Sequence, residues 1–263
     1  MFCIMRSRIS ALALVIIASL ASGLRAATPL EIWPRQVPPL NPGTLKEQLG
    51  VLENAADSLP SALRPAIQFQ KIFLRILSGE EPSRWRGEIE KFATPSGSSP
   101  LESGLREIAR AWLARVEMIE IDTVFHAYYR QYVRFPATLA EVESGIPAGL
   151  RKDPWGEAWH YEPHPPQGFE RLSTQRYQLG PARFPQLGSL KDAAHHRDAV
   201  AQTWKITARD IAGSKALEFR GSSANASVAV LQPGGSINEC TLLFIGDGWA
   251  LMAGMDQLFA VTF

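Results

Sequence analysis

A chain of 263 residues with 46% hydrophobic and 20% charged residues can bury a real core, which excludes wholesale disorder, a fibre or a low-complexity array. Its formal charge of +1, with no dense basic stripe and interleaved aromatics, excludes nucleic acid as an expected partner. At this length a leader followed by two or three small modules is expected rather than one core.

Residues 1–26 carry a signal-peptide pattern. Arg6 and Arg8 precede an apolar run from Ala11 to Leu20, and a small-residue stretch ends at Ala26. A run of about ten to fifteen apolar residues falls short of the roughly 20 needed to span a bilayer. Export with cleavage after Ala26 is therefore expected, to the periplasm, the cell envelope or the exterior. A retained N-terminal anchor is the alternative, and the only expected route to a membrane. The mature part would hold 24 basic and 26 acidic residues, a net charge of about −2. Cys3 would leave with the leader, so Cys240 could form no intramolecular disulfide, and its neighbours Leu242, Leu243 and Phe244 predict a buried thiol.

Five prolines, at 29, 34, 38, 39 and 42, mark residues 27–43 as an extended linker. Residues 44–100 form a helical region, with Leu45, Leu49 and Leu52 on one stripe and Ile67, Ile72, Phe73 and Ile76 on another. The first helical run stops at Ser78-Gly79, and a Pro/Ser/Gly stretch from Thr94 to Pro100 ends the region. The most regular segment follows, in a unit expected over 101–190. Leu105, Ile108, Trp112, Val116 and Ile119 recur at spacings of three and four, which predicts a long amphipathic helix running to about Tyr132, capped by Ser99 or Ser103. Residues 191–263 are expected to be a small β-rich module. Its strands are read at 227–231, 240–245, 250–252 and 258–263, with turns at Pro233-Gly234-Gly235 and Gly246-Asp247-Gly248. Residues 194–209 fit helix and strand equally. The whole is predicted to be α+β.

Three pieces occur in order after the helix midpoint: Tyr128 with Arg134-Phe135-Pro136; Asp153-Pro154-Trp155-Gly156 with Trp159 and Tyr161; and Tyr177-Gln178-Leu179-Gly180. Pro136 stops the helix. Asp153-Pro154 favours a turn in which the aspartate accepts a backbone N–H, and Gly156 permits positive φ. Trp155 can lay its ring on the helix.

In this order the pieces resemble the C-terminal head of the type II secretion major pseudopilin, and more broadly type IV pilin-like proteins. Lys152-Asp153-Pro154-Trp155-Gly156 matches the family's loop outright, and Arg134-Phe135-Pro136 matches its helix exit conservatively. The resemblance covers Val116 to Gly180, about a quarter of the chain. It implies a pilin-like head of one long helix against a small antiparallel sheet, no enzymatic activity and no cofactor, and partners in a secretion or pilus-like machine. Two departures bound what it implies. No glutamate-bearing hydrophobic helix of the kind by which pseudopilins polymerise is matched at the N-terminus. The stretch Pro181 to Gly188, where the family binds calcium, holds no carboxylate and carries Arg183, so no metal is expected.

Catalytic readings are weaker. His160 and His164, with Glu157 and Glu162, have ligand spacing only on a helix, which Pro163, Pro165 and Pro166 forbid; on a strand the histidines would stand about 13 Å apart. His195-His196 beside Asp192 and Asp198 could supply a base for a periplasmic hydrolase, but no nucleophile motif accompanies them. His126 reads as a packing or surface residue. Tyr129 and Tyr132 are candidates for contact with a partner. The alternative to a structural role is a periplasmic binding module that reuses the pilin-like fold for another ligand.

Overall fold

The computed structural model describes residues 27–38, 40–94, 97–164, 177–195, 204–221 and 228–263, with the backbone alone for 192, 194 and 195. The expected leader and its cleavage site lie outside these residues. The described residues are α+β. Six α-helices, α1 (Pro29–Ile32), α2 (Pro42–Ser58), α3 (Arg64–Leu77), α4 (Pro82–Ala93), α5 (Pro100–Tyr132) and α6 (Leu190–His195), accompany three antiparallel sheets. The first sheet pairs β1 (His160–Pro163) with β2 (Tyr177–Gly180); the second runs β3 (Trp204–Ile211), β4 (Ser214–Gly221), β5 (Val228–Leu231). The third runs β6 (Ser236–Ile237), β7 (Cys240–Ile245), β8 (Trp249–Ala253), β9 (Leu258–Thr262).

Prolines 42 and 100, which read as linker and break, are helix starts, as is Pro82. Pro42, Pro82 and Pro100 each occupy the first position of a helix, where a missing N–H costs nothing. Asn41 caps α2, its Oδ1 accepting from the N–H groups of Gly43 and Thr44 at 2.9 Å each. Ser99 caps α5 in a reciprocal box with Glu102, which decides between the two expected caps. At the end of α3, Gly79 takes φ of 84°, and the N–H groups of Gly79 and Glu80 return to the carbonyls of Ile76 and Arg75.

The β6–β9 sheet is buried on both faces. Leu243, Leu251, Ala253, Leu258 and Ala260 point towards the helices, while Leu242, Ala250, Met252, Phe259 and Val261 point towards Leu217 and Phe219 of β4. Such a sheet shows continuous apolar runs rather than alternation, which is why β7 to β9 are conspicuous in the sequence. The layers are therefore helices, four-stranded sheet, three-stranded sheet. A Cβ at Gly104 of α5 would stand 2.4 Å from a methyl of Leu243, so glycine at that position lets the helix reach β7.

Three expectations are corrected. Residues 27–43 are not a free extended linker: α1 forms there, Trp33 is wholly buried, and its ring stacks 6.0 Å from that of Trp249. The Ala260 N–H donates to the Trp33 carbonyl at 2.7 Å, so the segment docks on β9. The reason is composition: Ile32 and Trp33 bring more apolar surface than the neighbouring prolines can keep extended in water. The stripe of α5 does not continue through Ile119, which is 44% exposed; burial shifts to Ile121 and Phe125. Residues 191–263 are not one small module apart from the rest, since the β6–β9 sheet shares a core with α2 to α5. The segment left open at 194–209 contains β3 from Trp204 onward. Ala212 (φ 52°) and Gly213 (φ 80°) make the two-residue turn into β4.

Candidate functional site

Most of the sequence-matched residues gather on the second half of α5, while Trp155 reaches Glu107 in the first. Ile121 and Phe125 of that helix share a core with Val142, Ile146, Leu150, Trp159, Tyr177 and Leu179. The β1–β2 hairpin places Tyr161 opposite Leu179 and Pro163 opposite Tyr177. Phe125 meets the rings of Tyr161 and Tyr177 edge-on at 5.2 and 4.9 Å, and Phe135 meets Tyr177 at 4.9 Å. Edge-to-face aromatic pairs of this kind add about 0.5–1.5 kcal/mol each beyond area burial. The hydroxyls find partners: Tyr177 donates to the Asp122 carboxylate, and Tyr161 donates to the Pro136 carbonyl at 2.6 Å. Burial pushes both phenols up, Tyr161 to about 12, while for Tyr177 the bond to Asp122 adds to the effect.

The helix exit is a polar knot centred on Glu141, a residue that sequence reading passed over. Its carboxylate accepts from the Tyr128 hydroxyl, from the Arg134 guanidinium at 2.9 Å and from the Ala137 N–H at 3.0 Å. Those bonds, Tyr128 first, hold the Glu141 carboxyl below the usual range. The Arg134 guanidinium also lies 5.3 Å over the Tyr128 ring. Next to Arg134, Val133 closes α5 at φ 54° and is largely exposed. A β-branched residue is rare in that left-handed region and persists only where its surroundings impose it.

The Lys152–Gly156 loop is organised by Asp153. That carboxylate is buried, and Oδ1 accepts from the N–H groups of Trp155 and Glu157, both at 2.9 Å, while Oδ2 accepts from the Ala182 N–H at 3.0 Å. Gly156 sits at φ 86°, as the turn requires. Trp155 turns back to α5, its indole N–H donating to Glu107 at 2.9 Å. The same Glu107 oxygen receives Arg183 at 2.7 Å, so the helix, the loop and the Pro181–Gly188 segment converge on one carboxylate. At Gly180 a Cβ would stand 2.4 Å from the Pro185 carbonyl oxygen, and the Gln178 amide donates to that oxygen at 2.8 Å. The segment after β2 is thus folded back on its own strand. Arg183 and Glu107 were not singled out as a pair in the sequence, since 76 residues separate them.

The other candidates are scattered. His126 is exposed and pairs with Asp122 at 3.1 Å. His160 stands 4.0 Å from Glu162, and among the described residues no three His, Cys, Asp or Glu side chains gather to hold a metal ion. His196 and Asp198 lie outside the described residues, as do the side chains of Asp192 and His195. Cys240 is buried, which pushes its thiol up to about 11. Tyr132 is exposed, and Tyr129 rests against Phe135 at 4.8 Å. One carboxylate stands out chemically. Glu117 lies where α4, α5 and the Asp153 loop meet, with Oε2 buried and without a hydrogen-bond partner among the described residues. Burial raises it to about 7 despite the nearby Arg86, which pairs with Glu90 at 3.0 Å and with Glu120.

Compared with protein families, with curated proteins and with solved structures, the chain matches none. No helix among the described residues is long and apolar enough to cross a membrane.

Proposed function

We propose that this is an exported, non-enzymatic structural or accessory protein of the bacterial envelope, whose pilin-like head serves a type II secretion or pilus-like machine. The observation that carries the reading is the Lys152–Gly156 loop. Asp153 shapes it through three backbone N–H groups, and Trp155 ties it to the long helix beside a two-stranded hairpin. The residues on which the resemblance rests lie together, with the loop and the hairpin packed on the long helix, and this supports the reading. The polar side chains gathered there, Asp153, Glu141, Tyr161 and Tyr177, are engaged in holding backbone or one another, which suits a presented surface.

The test is site-specific photo-crosslinking in cells that carry such a machine, with the photoreactive residue at exposed Tyr132. Crosslinks to an identified component of the secretion or pilus apparatus are expected. Fractionation that finds the protein with no such component, and no crosslink to one from Tyr132 or Val133, would reject the reading.

A further inference from the structure

We propose that residues 27–37 are exchanged between two copies of this chain, so that Trp33 of each copy fills the seat on the other copy's β8–β9 hairpin. This inference concerns the N-terminal segment alone and stands apart from the reading of the head.

The seat is seen occupied within one copy. Trp33 is wholly buried and Ile32 is 2% exposed. The Trp33 ring stacks 6.0 Å from that of Trp249, which in turn meets Phe244 at 5.6 Å. The Ala260 N–H donates to the Trp33 carbonyl at 2.7 Å, and the Gln257 side-chain amide donates to the Arg35 carbonyl at 3.3 Å. A buried tryptophan takes about 150–250 Å² out of water, enough to make it the anchor of a docked segment. The two main-chain carbonyls fix the direction in which the segment lies. Each of these partners is more than two hundred residues away in the sequence, so the contact is that of a bound peptide and asks nothing of chain continuity. The segment also brings its own local structure, since the Thr28 N–H donates to the Glu31 carboxylate at 2.7 Å and starts α1.

The connection to α2 permits the transfer. The chain bends at Arg35 and Gln36, between Pro34 and Pro38, and Gln36 and Pro38 are exposed. A proline fixes its own φ at about −65° and pushes the residue before it to extended backbone, so the sequence favours the straightened form of this bend. Straightened, the chain from Arg35 to Asn41, the cap of α2, reaches about 19 Å at about 3.1 Å per residue. Exchange keeps the contacts of the closed form and alters only the bend, and a reciprocal transfer closes into a two-fold pair. The hold on the segment is also weaker than its apolar area suggests, because the Trp33 indole N–H is buried without an acceptor among the described residues.

The test mixes equal amounts of two preparations of the purified chain, one isotopically labelled, the other unlabelled with a nitroxide attached at a Leu30→Cys substitution. Leu30 is 43% exposed, so the label projects into solvent, and Cys240 is buried and stays unmodified. As protein concentration is raised, the Ala260 and Trp249 amides of the labelled copies are expected to lose up to about half of their intensity, since half of those copies then hold a nitroxide-bearing segment. Sedimentation should show dimers in the same proportion. A synthetic peptide of residues 27–37 probes the same seat without altering the chain. It should compete, shifting the Ala260 and Trp249 resonances and lowering the dimer fraction, and the peptide with Trp33→Ala should bind at least about tenfold more weakly. Unchanged Ala260 and Trp249 intensities at every concentration, intensity lost only elsewhere, dimers without that loss, or a peptide that leaves the seat untouched would overturn the proposal.

Discussion

Along the first half of α5, from Pro100 to Val116, side chains are buried on nearly every side, among them Leu105, Ile108, Ala109, Ala111, Trp112, Leu113 and Val116. Along the second half, from Glu117 to Tyr132, only Ile121 and Phe125 are fully buried, and Ile119 and Tyr132 stand in water. The first half is held by apolar contact with α3, α4 and the β6–β9 sheet. The second is held on one side by aromatic rings and by carboxylate–phenol bonds, Tyr177 to Asp122 and Tyr128 to Glu141. One helix therefore connects a scaffold stabilised by area with a head stabilised by geometry. Losing an apolar side chain from the scaffold should be felt by the whole molecule, whereas losing one polar clamp from the head should be felt locally.

The largest effect should come from Trp112→Ala. Trp112 is fully buried, meets Phe73 edge-on at 5.8 Å, and donates to the Asp256 carbonyl at 2.8 Å. A loss of about 4 kcal/mol is expected, seen as one cooperative fall in Tm by circular dichroism and by tryptophan fluorescence alike. Separate transitions by the two probes would break the comparison from the scaffold side. Asp153→Ala should cost about 2 kcal/mol, because three part-buried backbone N–H groups lose their acceptor. The loss should appear mainly as deprotection of the Trp155, Glu157 and Ala182 amides. Gly180→Ala should cost about 2 kcal/mol, since a Cβ 2.4 Å from the Pro185 carbonyl oxygen must push the 181–188 segment off β2. A shift of the Arg183 resonances would report that displacement.

The smallest effect sharpens the seam between the halves. The folded state holds the Glu117 carboxyl at about 7, above its ordinary value of 4.5. Between those values the folded chain binds a proton that the unfolded chain lacks, so stability rises as pH falls from 7 towards 4.5 and is level outside that window. The group is partly exposed, and screening reduces its contribution to about 1 kcal/mol. Glu117→Gln should abolish that slope, leaving the protein more stable than the parent at pH 8 and no more stable at pH 4.5. Urea unfolding at the two pH values checks it.

What the sequence made legible follows the same division. The capped helix from Ser99 and the apolar strands β7 to β9 carry strong local signals, namely a capping box and unbroken apolar runs. The loop residues Asp153 and Gly156 were readable because their partners lie within four residues. Hidden features depend on distant partners. Trp33 looked like part of a linker because Trp249 and Ala260 lie more than two hundred residues away. Glu107 carried no signal in the sequence because Trp155 and Arg183 reach it across 48 and 76 residues. Strand β3 was obscured because Thr207 to Asp210 interrupt the alternation of apolar residues that starts at Trp204 and Ile206, on an exposed outer sheet.

The most direct measurement is native-state hydrogen exchange along α5 in the parent chain and in Asp153→Ala. Unchanged protection from Leu105 to Val116, with lost protection at the Trp155, Glu157 and Ala182 amides of the loop and its neighbouring segment, is the predicted result. Protection lost evenly along the whole helix, or not lost at all, would contradict a head clamped by Asp153 onto an independently stable scaffold.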